Sequence, residues 1–143
     1  MSHQETDAGA FAGRWSFSPE RSTLSSPAPS SWVQHISVND GILRVEEQIT
    51  RADGPVTVQT VEARIDGNPY PVSGSTVIDA IAYTVLDERT LNGVGTRNGT
   101  PLLHETVRVA PDGGLLTLEF KIDIQGRTVA NGIAVFLPEA FSH

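Results

Sequence analysis

At 143 residues the chain has the length of one domain, and a single core of that size buries roughly two thirds of the surface the unfolded chain exposes. Ten Lys and Arg against 17 Asp and Glu leave a net charge of −7, which argues against nucleic acid and against an anionic membrane surface as partners. There is no Cys, so a disulfide framework and a thiolate metal site are both excluded.

The chain begins with a polar, acidic stretch, read as a flexible tail over residues 1–10. It lacks the basic and apolar segments of a signal peptide, and no window approaches about 18 apolar residues. Cytoplasmic placement is the expectation. Gly13, Arg14 and Trp15 then open the patterned region, one domain over residues 11–138, with 139–143 as a second tail. Residues 18–31 interleave Ser with Pro19, Pro27 and Pro29. Pro lacks the backbone donor and Ser competes for backbone bonds, so this reads as a long loop. Segments rich in Val, Ile and Thr follow, closed by turn residues at Asp40 and Gly41, Asp53 and Gly54, Asp66 and Gly67, Ser73 and Gly74, Asn98 and Gly99, Pro111 to Gly114, and Gln125 and Gly126. Turns about 10 to 14 residues apart, with short connections, predict an antiparallel meander.

Alternation supports this strand by strand. Leu116, Leu118, Phe120, Ile122 and Ile124 share one face, opposite Thr117, Glu119, Lys121 and Asp123. Residues 101–110 set Leu103, Glu105, Val107 and Val109 against Leu102, His104, Thr106 and Arg108. Residues 127–137 carry one face of small residues suited to a crowded wall, and residues 77–86 are apolar on both faces. Sustained helical periodicity is absent. The expected fold is all-β, an antiparallel up-and-down barrel of about eight or nine strands, since closure removes exposed edges without covering helices.

The residues also carry a resemblance. Gly13-Arg14-Trp15 resembles the Gly-x-Trp of the first lipocalin strand, and Ser18-Pro19-Glu20-Arg21-Ser22 resembles the segment that follows it in small bacterial lipocalin-like domains. Ala63 to Gly74, with Asp66-Gly67 and Tyr70-Pro71-Val72, and Ala110 to Thr117, with Asp112-Gly113, resemble two later segments of that group. The resemblance implies a calycin-type barrel that holds an apolar or amphipathic small molecule, and it supplies no shared activity.

Candidate site residues follow from strand faces. Trp15 is read as a plug at the barrel's base, its indole N–H meeting a carbonyl. Trp32 opens the strand after the Ser and Pro loop and is a ligand-binding candidate, either as a lid over the mouth or as an anchor for the loop. Glu47 shares its face with Leu43, Val45 and Ile49, and a carboxylate in apolar company is suited to act as acid or base. Tyr83 lies mid-strand among apolar residues and qualifies for both catalysis and binding. His104 is a candidate general base, since imidazole titrates near neutrality. His35 and Phe120 complete the ligand-binding candidates. His and carboxylates at metal-ligand spacing are missing, and so are a nucleophile elbow, a phosphate loop and a dinucleotide fingerprint, so neither metal nor cofactor is expected. Two functions fit: binding of a hydrophobic or amphipathic small molecule, or cofactor-independent cyclase or isomerase chemistry on a natural-product intermediate, in which the cavity templates the substrate. In either case the partner is a small molecule and the protein is a monomer or homodimer.

Overall fold

A computed structural model describes residues 8–139. Eleven strands run in chain order: β1 (Gly13–Phe17), β2 (Thr23–Leu24), β3 (Ser31–Asn39), β4 (Ile42–Thr50), β5 (Val56–Arg64), β6 (Pro69–Ser73), β7 (Ala80–Asp87), β8 (Thr90–Arg97), β9 (Thr100–Val109), β10 (Leu116–Ile124) and β11 (Arg127–Pro138). All pairings are antiparallel, and β1 pairs with β11 to close the sheet into an up-and-down barrel. The ring has ten strands, with β2 as a short addition on β11. One turn escapes the composition signals and accounts for the count above eight or nine. β7 and β8 are joined at Glu88 and Arg89 with neither Gly nor Pro, because the Asp87 carboxylate accepts the Arg89 backbone N–H at 2.9 Å and makes the turn itself.

The registers come from local turn chemistry. Asp40 and Gly41, Asn98 and Gly99, and Gln125 and Gly126 all take positive φ, as a two-residue turn matched to strand twist requires. The first of these turns sets Asn39 against Ile42 and therefore Gln34 against Glu47.

The stretch expected to be a loop is tied to the wall. Ser18 N–H donates to the Val135 carbonyl at 2.8 Å, and the Ser22 hydroxyl accepts the Val135 N–H at 2.8 Å. Pro19–Arg21 forms a 3₁₀ turn and Thr23–Leu24 a strand. Val135, on the outer face of β11, is thereby buried.

One end of the barrel is filled. Ala8 and Phe11, around the 3₁₀ turn Gly9–Phe11, have no exposed surface, and Trp15 is 3% exposed with Leu43 and Leu116 beside it. The indole Nε1 of Trp15 donates to the Phe11 carbonyl at 3.0 Å. The packed unit thus includes Ala8. It reaches Glu139, whose backbone N–H donates to the Arg14 carbonyl and whose carboxylate accepts from Arg14 and Ser16. The remaining tail residues, 1–7 and 140–143, lie outside the described residues. Among the described residues no helix is long and apolar enough to cross a membrane.

Candidate functional site

Above the filled base the barrel is hollow. A cavity of about 280 Å³ runs from Phe11 and Leu43 to a rim formed by Pro27, Pro29, Arg51 and Ser75, just below the roughly 300–1,000 Å³ of small-molecule sites. Its wall is mainly aliphatic and aromatic, with polar groups gathered at mid-height on two arcs.

The first arc spans β3, β4 and β5, where Gln34, Glu47 and Gln59 are direct cross-strand neighbours. Trp32 Nε1 and Gln34 Nε2 each donate to Glu47 Oε2 at 2.8 Å, and Gln59 Nε2 donates to Oε1 at 2.7 Å. Three neutral donors therefore converge on one carboxylate, with no basic side chain among them. Burial pushes the Glu47 pKa up, and the bonds from Trp32 and Gln34 oppose that rise. Trp32 is fixed in turn by rings: its centroid lies 5.4 Å from Phe17 and 5.0 Å from Phe136, the latter edge-on. It is part of the cavity wall.

The second arc spans β7 to β10, where Tyr83, Gly93, Glu105 and Phe120 stand in one cross-strand row. Gly93 is the reason Tyr83 and Glu105 share a niche. A methyl group there would lie 3.0 Å from Glu105 Cγ and 3.2 Å from Tyr83 Cε1. Burial, reinforced by the charge of Glu47, pushes the Glu105 carboxyl up to about 8. Burial and the charges of Glu105 and Glu47 raise the Tyr83 phenol well above its ordinary range. Both glutamates line the lumen and keep some accessible surface, while the surrounding wall removes much of their hydration. Tyr83 is 5% exposed. Its hydroxyl and the Glu105 carboxyl receive no side-chain hydrogen bond from the described residues.

In the ring order β1-β3-β4-β5-β6-β7-β8-β9-β10-β11, β4 and β9 are five places apart in ten, so Glu47 and Glu105 come from opposed walls. A carboxyl without a donor and one held by three donors thus face one apolar space. Such a pair can donate or accept a proton, or hold a cation.

Of the residues singled out in the sequence, Trp32, Glu47, Tyr83 and Phe120 line this cavity together. His35 and His104 do not. Both are exposed on the outer wall, His35 opposite Arg14 and Glu46, His104 opposite Lys121. The reason is strand parity: each is one residue away from an inward position, Gln34 or Ile36 for His35, Leu103 or Glu105 for His104. Sequence reasoning passed over Glu105, Gln34 and Gln59 as site residues. The signal for Glu105 was present, since Leu103, Val107 and Val109 give it the same apolar company that singles out Glu47. The glutamines carry it too, since Gln34 shares a face with Trp32, Ile36 and Val38, and Gln59 with Val61 and Ala63. No family model matches the chain, and no curated protein matches it as a relative.

Proposed function

We propose that the barrel binds a small, mainly apolar molecule in its lumen, oriented by the polar groups at mid-height, and that the chain is kin to the bacterial lipocalin-like barrels its sequence resembles. The observation that carries the reading is the lumen itself. A wall of apolar side chains encloses about 280 Å³ beside a buried tyrosine hydroxyl and a half-buried carboxyl that have no hydrogen-bond partner among the described residues, and buried polar groups are otherwise nearly always paired. Three segments of the resemblance supply structural parts. Trp15 plugs the base, the Tyr70 hydroxyl donates to Asp66 at 2.7 Å beside the Asp66-Gly67 turn, and Asp112 accepts the Gly114 N–H at 2.9 Å in the last hairpin before β10. The outer wall carries exposed ion pairs, Arg44 with Glu46 and Glu62 among them, which suits water rather than lipid around the barrel.

Displacement of an apolar naphthylamine fluorophore tests this reading. Leu103→Trp, which grows an indole into the lumen, should weaken fluorophore binding by at least about tenfold with the circular dichroism of the barrel unchanged. Equal affinity in the variant would place the site outside the lumen.

Glu105 favours a second reading, a cofactor-independent isomerase or cyclase. A carboxyl that keeps its proton at neutral pH is a general acid, and Glu47 across the lumen, whose ionised form accepts three donors, is the candidate base. In that reading Glu105→Gln removes turnover while apolar binding persists.

A further inference from the structure

We propose that the lumen takes an apolar molecule bearing a protonated amine, its nitrogen seated over Gly93 against Glu105 and the Tyr83 hydroxyl and facing Glu47 across the barrel. This rests on the reading of the barrel as a small-molecule binder and names the class of ligand.

The charge inventory points this way. The ionisable groups lining the cavity are Glu47, Tyr83, Glu105 and Arg51. Arg51 stands in the exposed turn at the rim, four residues beyond Glu47 and so about 13 Å further along the strand direction. Among the described residues, mid-lumen therefore holds two carboxyl groups from opposed walls and no cation. A ligand carboxylate or phosphate would add a third acid to that space. A ligand cation would neutralise it.

Hydrogen-bond accounting narrows the choice. Glu47 has three donors, whereas Glu105 and the Tyr83 hydroxyl have none from the described residues. An ammonium offers three N–H donors and no acceptor, and a carboxylate and a phenol oxygen both accept. One such group satisfies Glu105 and Tyr83 together and directs its remaining donor into the lumen. The niche exists because residue 93 has no side chain. Size adds a limit, since about 280 Å³ suits one ring or a short branched chain attached to the nitrogen rather than a long lipid.

A linked proton gives the inference a signature. In the empty barrel Glu105 holds its proton at neutral pH, because burial and the Glu47 charge both disfavour ionisation. An arriving ammonium stabilises the ionised form and drives that proton into solution. Amine affinity should therefore rise by up to about tenfold per pH unit until Glu105 is ionised without ligand, then level off. A neutral acceptor such as a ketone would use the Glu105 O–H, and its affinity would be flat below about pH 8 and fall above it. Tyr83 stays protonated throughout, and the three donors on Glu47 favour its anion ahead of that of Glu105.

The experiment is titration calorimetry of the full chain with phenethylamine, phenethyl alcohol and phenylacetate, between about pH 6 and pH 8.5, in buffers of different ionisation heat. The expected result is amine binding at least about tenfold tighter than alcohol at the upper end, no phenylacetate binding, affinity rising with pH, and close to one proton released per amine at neutral pH. Glu105→Gln should abolish proton release, the pH slope and the amine preference, and Tyr83→Phe should weaken the amine but keep the pH slope. Alcohol binding as tightly as amine, or amine affinity flat or falling with pH, overturns the amine assignment and leaves the binding reading standing. Silence from all three probes overturns both. Should Glu105→Gln fail to fold, the wild-type pH slope and the amine-to-alcohol ratio decide the matter alone.

Discussion

The base and the waist of this barrel are built from the same strands with the same alternation, yet one is solid and the other hollow. At the base, Phe11, Trp15, Leu43 and Leu116 fill the interior and the single indole N–H is satisfied by a backbone carbonyl. At the waist the inward positions include Gln34, Glu47, Gln59, Tyr83 and Glu105, with Gly93 left bare. The base is optimised for packing. The waist carries carboxyl groups whose burial costs stability, and such a cost is ordinarily retained where a site is used. The resemblance divides along the same line: Trp15 and the turns at Asp66-Gly67 and Asp112-Gly113 belong to the closed end, and none of them supplies a polar group to the lumen.

Substitutions on either side of that line should behave differently. The largest effect is expected at the base, where Trp15→Ala removes a fully packed ring and should cost about 3–5 kcal/mol in urea unfolding. The protein that remains folded should still bind lumen ligands within about threefold, and a parallel loss of binding would show that base and waist are one unit. Next comes Glu105→Gln, which should stabilise the ligand-free protein. The folded pKa of Glu105, about 8, lies above its ordinary 4.5. The native state therefore binds the extra proton, the stability Glu105 permits is full below its unfolded pKa, and it is lost as pH rises toward about 8. The variant's advantage over wild type should be near zero at about pH 4 and reach on the order of 1–3 kcal/mol above pH 8, a modest figure because the carboxyl faces an open lumen. Thermal melts across pH test this, and an advantage that shrinks with rising pH would refute it. The smallest effects belong to the outer wall. His35→Ala and His104→Ala should each change stability by less than about 0.5 kcal/mol and leave lumen binding within twofold, measured by the same melts and fluorophore titration. A larger loss of binding from either would return the histidines to the site.

Much of the architecture was legible because it is written in local signals. Two-residue turns such as Asp40-Gly41 and Asn98-Gly99 mark hairpins by their need for positive φ, and alternation separates the two faces of each strand. The one hairpin missed, at Glu88 and Arg89, is held by an Asp87 side-chain bond rather than by a Gly or Pro. The site was legible in part. Glu47, Tyr83, Trp32 and Phe120 were marked by inward parity or by a position beside the loop. His35 and His104 were attractive for their chemistry alone, and parity, applied strictly, turns both away from the lumen.

By itself the sequence determined that this chain is an antiparallel all-β meander, where most of its strands turn, and which residues of each strand share a face, because turn conformation and side-chain alternation depend on near neighbours. Only the tertiary structure decided that Gln34 and Gln59 flank Glu47, that Gly93 opens a niche shared by Tyr83 and Glu105, and that the two glutamates meet across the lumen. Those relations depend on which strands pair, in what register, and how many close the ring. Pairing between residues dozens of positions apart leaves no trace in the local pattern.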